Sequence, residues 1–351
     1  MTADNFDTTR TTNTLKGIAI FTVLINHYLN LNTLKDSSGF ASAWISIFFI
    51  MSGYGVYHSL SIRSSGDAGL KKIWSSFYRD RAIRIFPLLW IAWIIQLAIN
   101  KGGMSGWTII GIHAQGHYWF ISAILECYAI APLLYYGTKK SKWTMIVGVS
   151  VAVAAINFWI RLGYPSQWLT AAMRFPHIPY RTVYLLNIVL FLFGMIMPYM
   201  FSQAHTFHRR WHTLLFWVSG IAILCFMLVL KFLVLNDLLF RLAPIPIIAL
   251  FCVFALQYQM HNSFCEYLGR LSYPIYLFHI SFYMLMGRIT HFTKNSLITL
   301  MVYIAFSPLF IYICKKLEEL SGHIGRKLKP SVQCVSVQLE AVPDGDPVRC
   351  K

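Results

Sequence analysis

Residues 15–28 read LKGIAIFTVLINHY, an apolar stretch with a lysine at its start and a histidine near its middle. Lys16 and His27 are almost three helical turns apart, so an α-helix places both side chains on one face, about 16 Å apart along its axis. An ionisable group at mid-membrane depth is costly and usually has a function. This stretch therefore predicts both a membrane helix and two candidate functional residues.

Apolar segments of membrane length recur along the chain. Hydrophobic residues make up 57% of the 351 positions and charged residues only 12%. A segment of about 20 apolar residues crosses a hydrocarbon core of about 30 Å. The sequence thus predicts an all-α, polytopic integral membrane helical bundle in a lipid bilayer. About ten transmembrane helices are expected, near residues 15–34, 41–60, 82–99, 117–136, 143–160, 182–201, 212–230, 238–257, 271–290 and 296–314.

We attribute the net charge of +17 to the orientation of the protein in the membrane rather than to a nucleic-acid partner. With a cytosolic N-terminus, most of the 30 lysines and arginines fall on the cytosolic side, which is the positive-inside pattern. We therefore expect a multi-pass protein of the plasma (inner) membrane with both termini in the cytosol. The membrane domain is expected to cover residues 1–314. The polar tail, 315–351, is expected to be cytosolic and disordered after about residue 330.

The seven cysteines show no metal-ligand or redox spacing. Those expected inside spans are read as small apolar packing residues, and those on the cytosolic side are not expected to form disulfides. We therefore expect no metal site.

Two arginines mark the expected cytosolic entrance of the third span. Arg81 and Arg84 are i, i+3 neighbours, and two guanidinium groups at one place suit a phosphate or pyrophosphate. Asp80 is spaced to pair with Arg84 at i+4. A topology-setting anchor explains the arginines equally well from spacing alone, and Lys16 too has that alternative. Together Lys16, Arg81 and Arg84 are candidate donor-binding residues.

Glu126 lies well inside the fourth span and needs a partner there. One candidate is His27, which would act as a general base or nucleophile oriented by the acid. The alternatives are a protonated Glu126 bonded to a neighbouring helix and a His27 that only bridges helices. Trp119 shares a face with Glu126 and is a candidate supporting residue, although it also suits a membrane interface.

A third polar group follows residue 271. Ser272, Tyr276 and His279 step by four and three residues and therefore form one stripe on a helix. The stripe is compatible with an acceptor or supporting site and equally with packing.

These groups suggest two classes of function. A coenzyme A thioester has phosphates at one end and its reactive carbonyl at the other, so it fits a basic rim above a buried histidine. Alternatively, His27, Glu126 and His279 form the proton relay of a proton-coupled transporter or exporter.

Five motifs in order resemble those of the membrane-bound acyltransferase 3 family. The first is Leu15-Lys-Gly-Ile-Ala19 with a histidine eleven positions after the basic residue, where lysine replaces the usual arginine. The others are Phe48 through Tyr54; Arg81-x-x-Arg84-Ile-x-Pro87; His117, Trp119 and Phe120 with Tyr128 and Pro132; and Ser272 through His279.

The resemblance implies an enzyme that moves an acyl group, most often acetyl, from an acyl-coenzyme A to a hydroxyl. The acceptors that it implies are cell-surface or lipid-linked glycans. It implies that His27 is catalytic and that Arg81 and Arg84 belong to the donor site. No bound cofactor is expected, since acyl-coenzyme A, with acetyl-coenzyme A foremost, is a substrate.

Overall fold

The computed structural model describes residues 8–32, 38–65, 69–100, 118–161, 179–199, 244–290 and 296–328. Within these ranges the chain forms nine α-helices and one 3-10 turn, and it contains no β-strand. The all-α prediction is therefore confirmed. The elements are α1 Thr8–Asn32, α2 Ser38–Ser64, α3 Leu70–Asn100, α4 Trp119–Arg161, α5 Pro179–Ile196 with the turn Met197–Tyr199, α6 Pro244–Gln257, α7 Ser263–Arg270, α8 Ser272–Thr290 and α9 Ser296–Leu328.

Three of the described helices are long and apolar enough to cross a membrane by length and composition. The stretches are Trp44–Ser64, Leu70–Ala98 and Trp119–Ser141, and the shorter apolar helices are Asn187–Tyr199 and Pro244–Gln257. The seventh expected span, 212–230, lies outside the described residues, as does the tail after 328.

Helices α4 and α9 differ from the expected spans in how they are divided and where they end, while α3 begins at Leu70 and α7 lies outside the expected spans. The fourth and fifth spans form one element, α4, with a break at Ser141, where the backbone is not helical (φ −158°, ψ 100°). The last helix, α9, continues to Leu328, well beyond the expected end of the tenth span at residue 314. The first part of the polar tail is therefore helical.

Helix α1 packs against α2, α6, α7 and α8. Its crossing with α7 is very close because glycines face each other's backbone. A Cβ added at Gly17 would lie 1.8 Å from the Cys265 carbonyl oxygen, and one at Gly269 would lie 1.7 Å from the Asn13 carbonyl oxygen. Small residues permit such backbone contact between membrane helices. The crossing fixes the position of α1 and hence of Lys16 and His27.

An ion-pair cluster joins the N-terminal end of α1 to α7. Glu266 of α7 is only 4% exposed and accepts a hydrogen bond from Arg10 Nε at 3.1 Å. Arg270, one turn further along α7, donates to its other oxygen. Burial alone would raise the pKa of Glu266, but the hydrogen bonds from Arg270 and Arg10 outweigh it and lower the pKa. Glu266 is therefore a buried carboxylate held by two cations.

Candidate active site

The two histidines predicted in different spans lie side by side. His27 of α1 and His279 of α8 have ring centroids 4.9 Å apart, with the ring planes inclined by 49°. At this separation the two imidazole rings are in contact. His27 is partly buried, whereas His279 is 1% exposed. The pair is thus enclosed at the α1–α8 contact.

The backbone of α8 determines which nitrogen of His279 carries hydrogen. His279 Nδ1 lies 2.5 Å from the carbonyl oxygen of Tyr276. A carbonyl oxygen only accepts, so Nδ1 is the donor. In the neutral ring Nε2 then has a lone pair and acts as an acceptor. His279 therefore presents an acceptor nitrogen on the side away from its own helix turn.

Tyrosine hydroxyls connect the helices around this pair. Tyr283 of α8 donates to the Leu24 carbonyl of α1 at 2.7 Å. Tyr118, just before α4, donates to the Leu277 carbonyl of α8 at 3.1 Å. These bonds hold α8 in register with α1 and α4. The ring of Tyr276 also packs against Phe120, with centroids 5.1 Å apart.

The three basic residues predicted at the rim share one neighbourhood. The Arg81 guanidinium lies over two aromatic rings, 5.4 Å from the centroid of Phe77 and 5.1 Å from that of Tyr128. Lys16 is partly buried and lies within electrostatic range of both Arg84 and Arg81. Arg84 is exposed. The rim therefore joins a stacked arginine, an exposed arginine and a partly buried lysine.

Asp80 has a partner on another helix that local spacing did not reveal. Its Oδ2 accepts a hydrogen bond from Arg63 Nη2 of α2 at 2.5 Å. The pairing of Asp80 with Arg84, which their i+4 spacing suggests, remains a prediction. The observed ion pair ties the first half of α3 to the end of α2 beside the rim.

Glu318 also lies at the rim, a position that was not predicted from the sequence. It lies on the part of α9 beyond residue 314, and its Oε2 atom is buried. Burial raises the pKa of Glu318, and the nearby Arg84 opposes that shift. The small and apolar residues Cys314, Leu317, Ser321 and Gly325 follow helical spacing and could have shown that the helix continues.

The α9 extension packs directly on α3 next to the arginines. A Cβ at Gly325 would lie 2.9 Å from Ile83 Cγ2, and Ile83 stands between Arg81 and Arg84 in the chain. From α8, Tyr273 donates to the Ile85 carbonyl at 2.7 Å. Three helices thus meet at the rim, which explains why an acid of the polar tail reaches it.

The other predicted site residues occupy different surroundings. Glu126 is exposed on α4, and the ring that the structure places against His27 is that of His279. The structure therefore places His279 beside His27, and the pairing of His27 with Glu126 remains a prediction. Trp119 is partly buried and packs edge-on against Phe120, with centroids 6.4 Å apart. Ser272 is buried at the start of α8.

Within the described residues no group of three or more histidines, cysteines or acids could hold a metal ion. Cys127, Cys252, Cys265 and Cys314 are buried free thiols.

The site thus has two levels, with the histidine pair deep in the bundle and the cations at its rim. A family model for acyltransferase 3, described as an acyltransferase domain, matches residues 12–315. Because this range is most of the chain, the protein belongs to the acyltransferase 3 family and is a membrane acyltransferase. Neither the curated proteins nor the solved structures contain a match.

Proposed function

We propose that this acyltransferase moves an acetyl group from acetyl-coenzyme A to a hydroxyl of a cell-surface or lipid-linked glycan. The observation that carries the proposal is the two-level site. Lys16 and His27 are eleven residues apart on one helix, which separates the basic rim from the histidine pair by about 16 Å. A coenzyme A thioester has the matching arrangement of charged phosphates, flexible arm and reactive carbonyl.

The rim supplies the charge that the donor phosphates need. Arg81 is stacked between Phe77 and Tyr128, so its guanidinium fork is already oriented before the donor arrives. Such preorganisation reduces the entropy lost on binding. Arg84 is exposed and provides a second fork, and Lys16 provides a compact charge below it. The pantetheine arm would then extend between α1 and α8 toward His27.

His27 performs the proton transfer in this proposal. It takes the proton of the acceptor hydroxyl while the hydroxyl oxygen attacks the thioester carbonyl. The carbon–sulfur bond breaks, an ester forms, and the leaving thiolate takes the proton from His27. The products are the acylated glycan and free coenzyme A. Trp119, Ser272 and Tyr276 are proposed to line the acceptor side, and Glu126 stays a secondary acid candidate.

The first experiment measures coenzyme A release by the purified protein in lipid nanodiscs with acetyl-coenzyme A and a glycolipid fraction. We expect His27→Ala to abolish release above background, because no other group takes the hydroxyl proton. His58→Ala is the matched control, since His58 is an exposed histidine of α2. Full activity of His27→Ala would overturn the assignment of the base.

The second experiment identifies acyl group and acceptor. Mass spectrometry of surface glycans and glycolipids, from cells with and without the active chain, should show an acetyl increment that His27→Ala cells lack. A different mass increment would correct the acyl group. Substrate uptake into liposomes without coenzyme A release would instead support the transporter that the sequence also allowed.

A further inference from the structure

We infer that His279 is a positioning residue that orients and polarises His27, so the base is activated by a second histidine rather than by a carboxylate. The inference rests on the proposed function, since it assigns the partner of the proposed base. It starts from the juxtaposition of the two rings, 4.9 Å apart. In many hydrolytic sites an acid fixes the tautomer of the catalytic histidine.

The hydrogen-bond direction follows from the Tyr276 carbonyl. Because that carbonyl takes the Nδ1 hydrogen of His279, the Nε2 of the neutral ring is an acceptor. In the reacting arrangement that we infer, His27 turns its own N–H toward this Nε2, across rings whose centroids are 4.9 Å apart. The other nitrogen of His27 is left with its lone pair, which is the form that a general base needs.

The same chain of groups stabilises the charge that forms during the reaction. When His27 becomes imidazolium, the hydrogen bond that it donates to His279 Nε2 is charge-assisted and therefore strong. The partial negative charge of the Tyr276 carbonyl supports the His279 ring from behind. A neutral histidine does this without placing a permanent charge inside the membrane, where an isolated carboxylate is costly.

The surroundings of the pair are consistent with a neutral relay. The aromatic rings of Tyr276 and Tyr283 lie beside His279, with centroids 5.5 and 6.3 Å from that of its ring. Tyr283 donates its hydroxyl hydrogen to the Leu24 carbonyl. Its hydroxyl is therefore engaged in holding α8 against α1.

The test compares two amides at position 279. The amide oxygen of His279→Gln lies near the position of Nε2 and can accept a hydrogen bond from His27. The shorter amide of His279→Asn reaches only the position of Nδ1 and leaves His27 without that acceptor. We expect His279→Asn to lower kcat on the order of 10²-fold with an unchanged KM for acetyl-coenzyme A. His279→Gln should lose clearly less. Tyr303→Phe is the control and should retain activity, because Tyr303 packs against Tyr283, with ring centroids 5.3 Å apart.

A measurement on the unchanged protein keeps the inference testable if either variant unfolds. In ¹⁵N NMR spectra of histidine-labelled protein, His279 should show a protonated Nδ1 and an unprotonated Nε2. Assignment uses its contact with the Tyr276 ring. An unprotonated Nδ1, or equal kcat in His279→Asn and the unchanged protein, would overturn the inference. Absence of coenzyme A release by the unchanged protein would overturn the proposed function itself.

Discussion

At Arg81, charge and shape contribute separately to the proposed donor site. Arg81→Lys keeps the charge but loses the planar fork and most of the stacking on Phe77 and Tyr128. We expect KM for acetyl-coenzyme A to rise about tenfold, which corresponds to about 1.4 kcal/mol, with kcat nearly unchanged. Initial rates over a range of donor concentrations measure both constants.

The control for this prediction is a neighbouring arginine outside the motif. Arg79 is exposed on the same helix, and Arg79→Lys should leave KM within twofold of its original value. If both substitutions raise KM alike, the rim acts only through its general positive charge. If neither does, Arg81 does not hold the donor.

At the scale of elements, the α1–α7 crossing is expected to be very sensitive to added volume. Gly17→Ala brings a Cβ onto the Cys265 carbonyl, where its ideal position is 1.8 Å from oxygen. The helices must separate, at a cost of about 1–3 kcal/mol, and His27 must move with α1. We expect a lower unfolding temperature in detergent and lower activity. Gly55→Ala, where a Cβ meets nothing within 4 Å, should be neutral or stabilising.

The Glu266 cluster should make the same contact sensitive to acid. Hydrogen bonds from Arg270 and Arg10 lower the pKa of the folded state below the ordinary 4.5. A lowered folded-state pKa means that the stabilisation is complete above the unfolded-state pKa and disappears as pH falls through the folded-state pKa. At pH 7 we expect Glu266→Gln to cost only about 1–2 kcal/mol, since the side chains of both arginines are exposed.

Thermal unfolding as a function of pH checks this prediction. The difference in unfolding temperature between the unchanged protein and Glu266→Gln should be constant near neutral pH and shrink below about pH 4.5. Lys316→Ala, which removes an exposed ion pair with Glu319, is the control and should have little effect. A difference that persists undiminished at low pH would show that the carboxylate charge is not what stabilises the contact.

At the scale of the whole molecule, the pattern of apolar residues predicted where most helices lie along the chain but not which helices pack against each other. The apolar runs and the polar stripe of α8 are local properties, so the sequence reveals them. That His27 faces His279, and that Asp80 meets Arg63, depends on how helices cross, which no single segment encodes. Glu318 was missed because its surroundings come from α3 and α8. The sequence predicted two separate spans that meet near Ser141. In the structure both belong to one element, α4, whose backbone is not helical at that residue.

The final prediction concerns orientation, because the proposed donor is made in the cytosol and the rim must face it. The lysines and arginines predict that the rim and the tail share the cytosolic side. In one variant every cysteine is replaced except Cys350 in the tail. This variant should react with a membrane-impermeant maleimide in inverted inner-membrane vesicles and not in intact cells.

A second variant tests the opposite face. The sequence between the third and fourth spans is expected outside the cytosol. Ser105→Cys in an otherwise cysteine-free chain should therefore react with the same maleimide in intact cells. Because α9 continues from the membrane to the rim at Glu318, the side of the tail also gives the side of the donor site. Labelling of Cys350 in intact cells would place the rim outside and exclude cytosolic acetyl-coenzyme A as its direct donor.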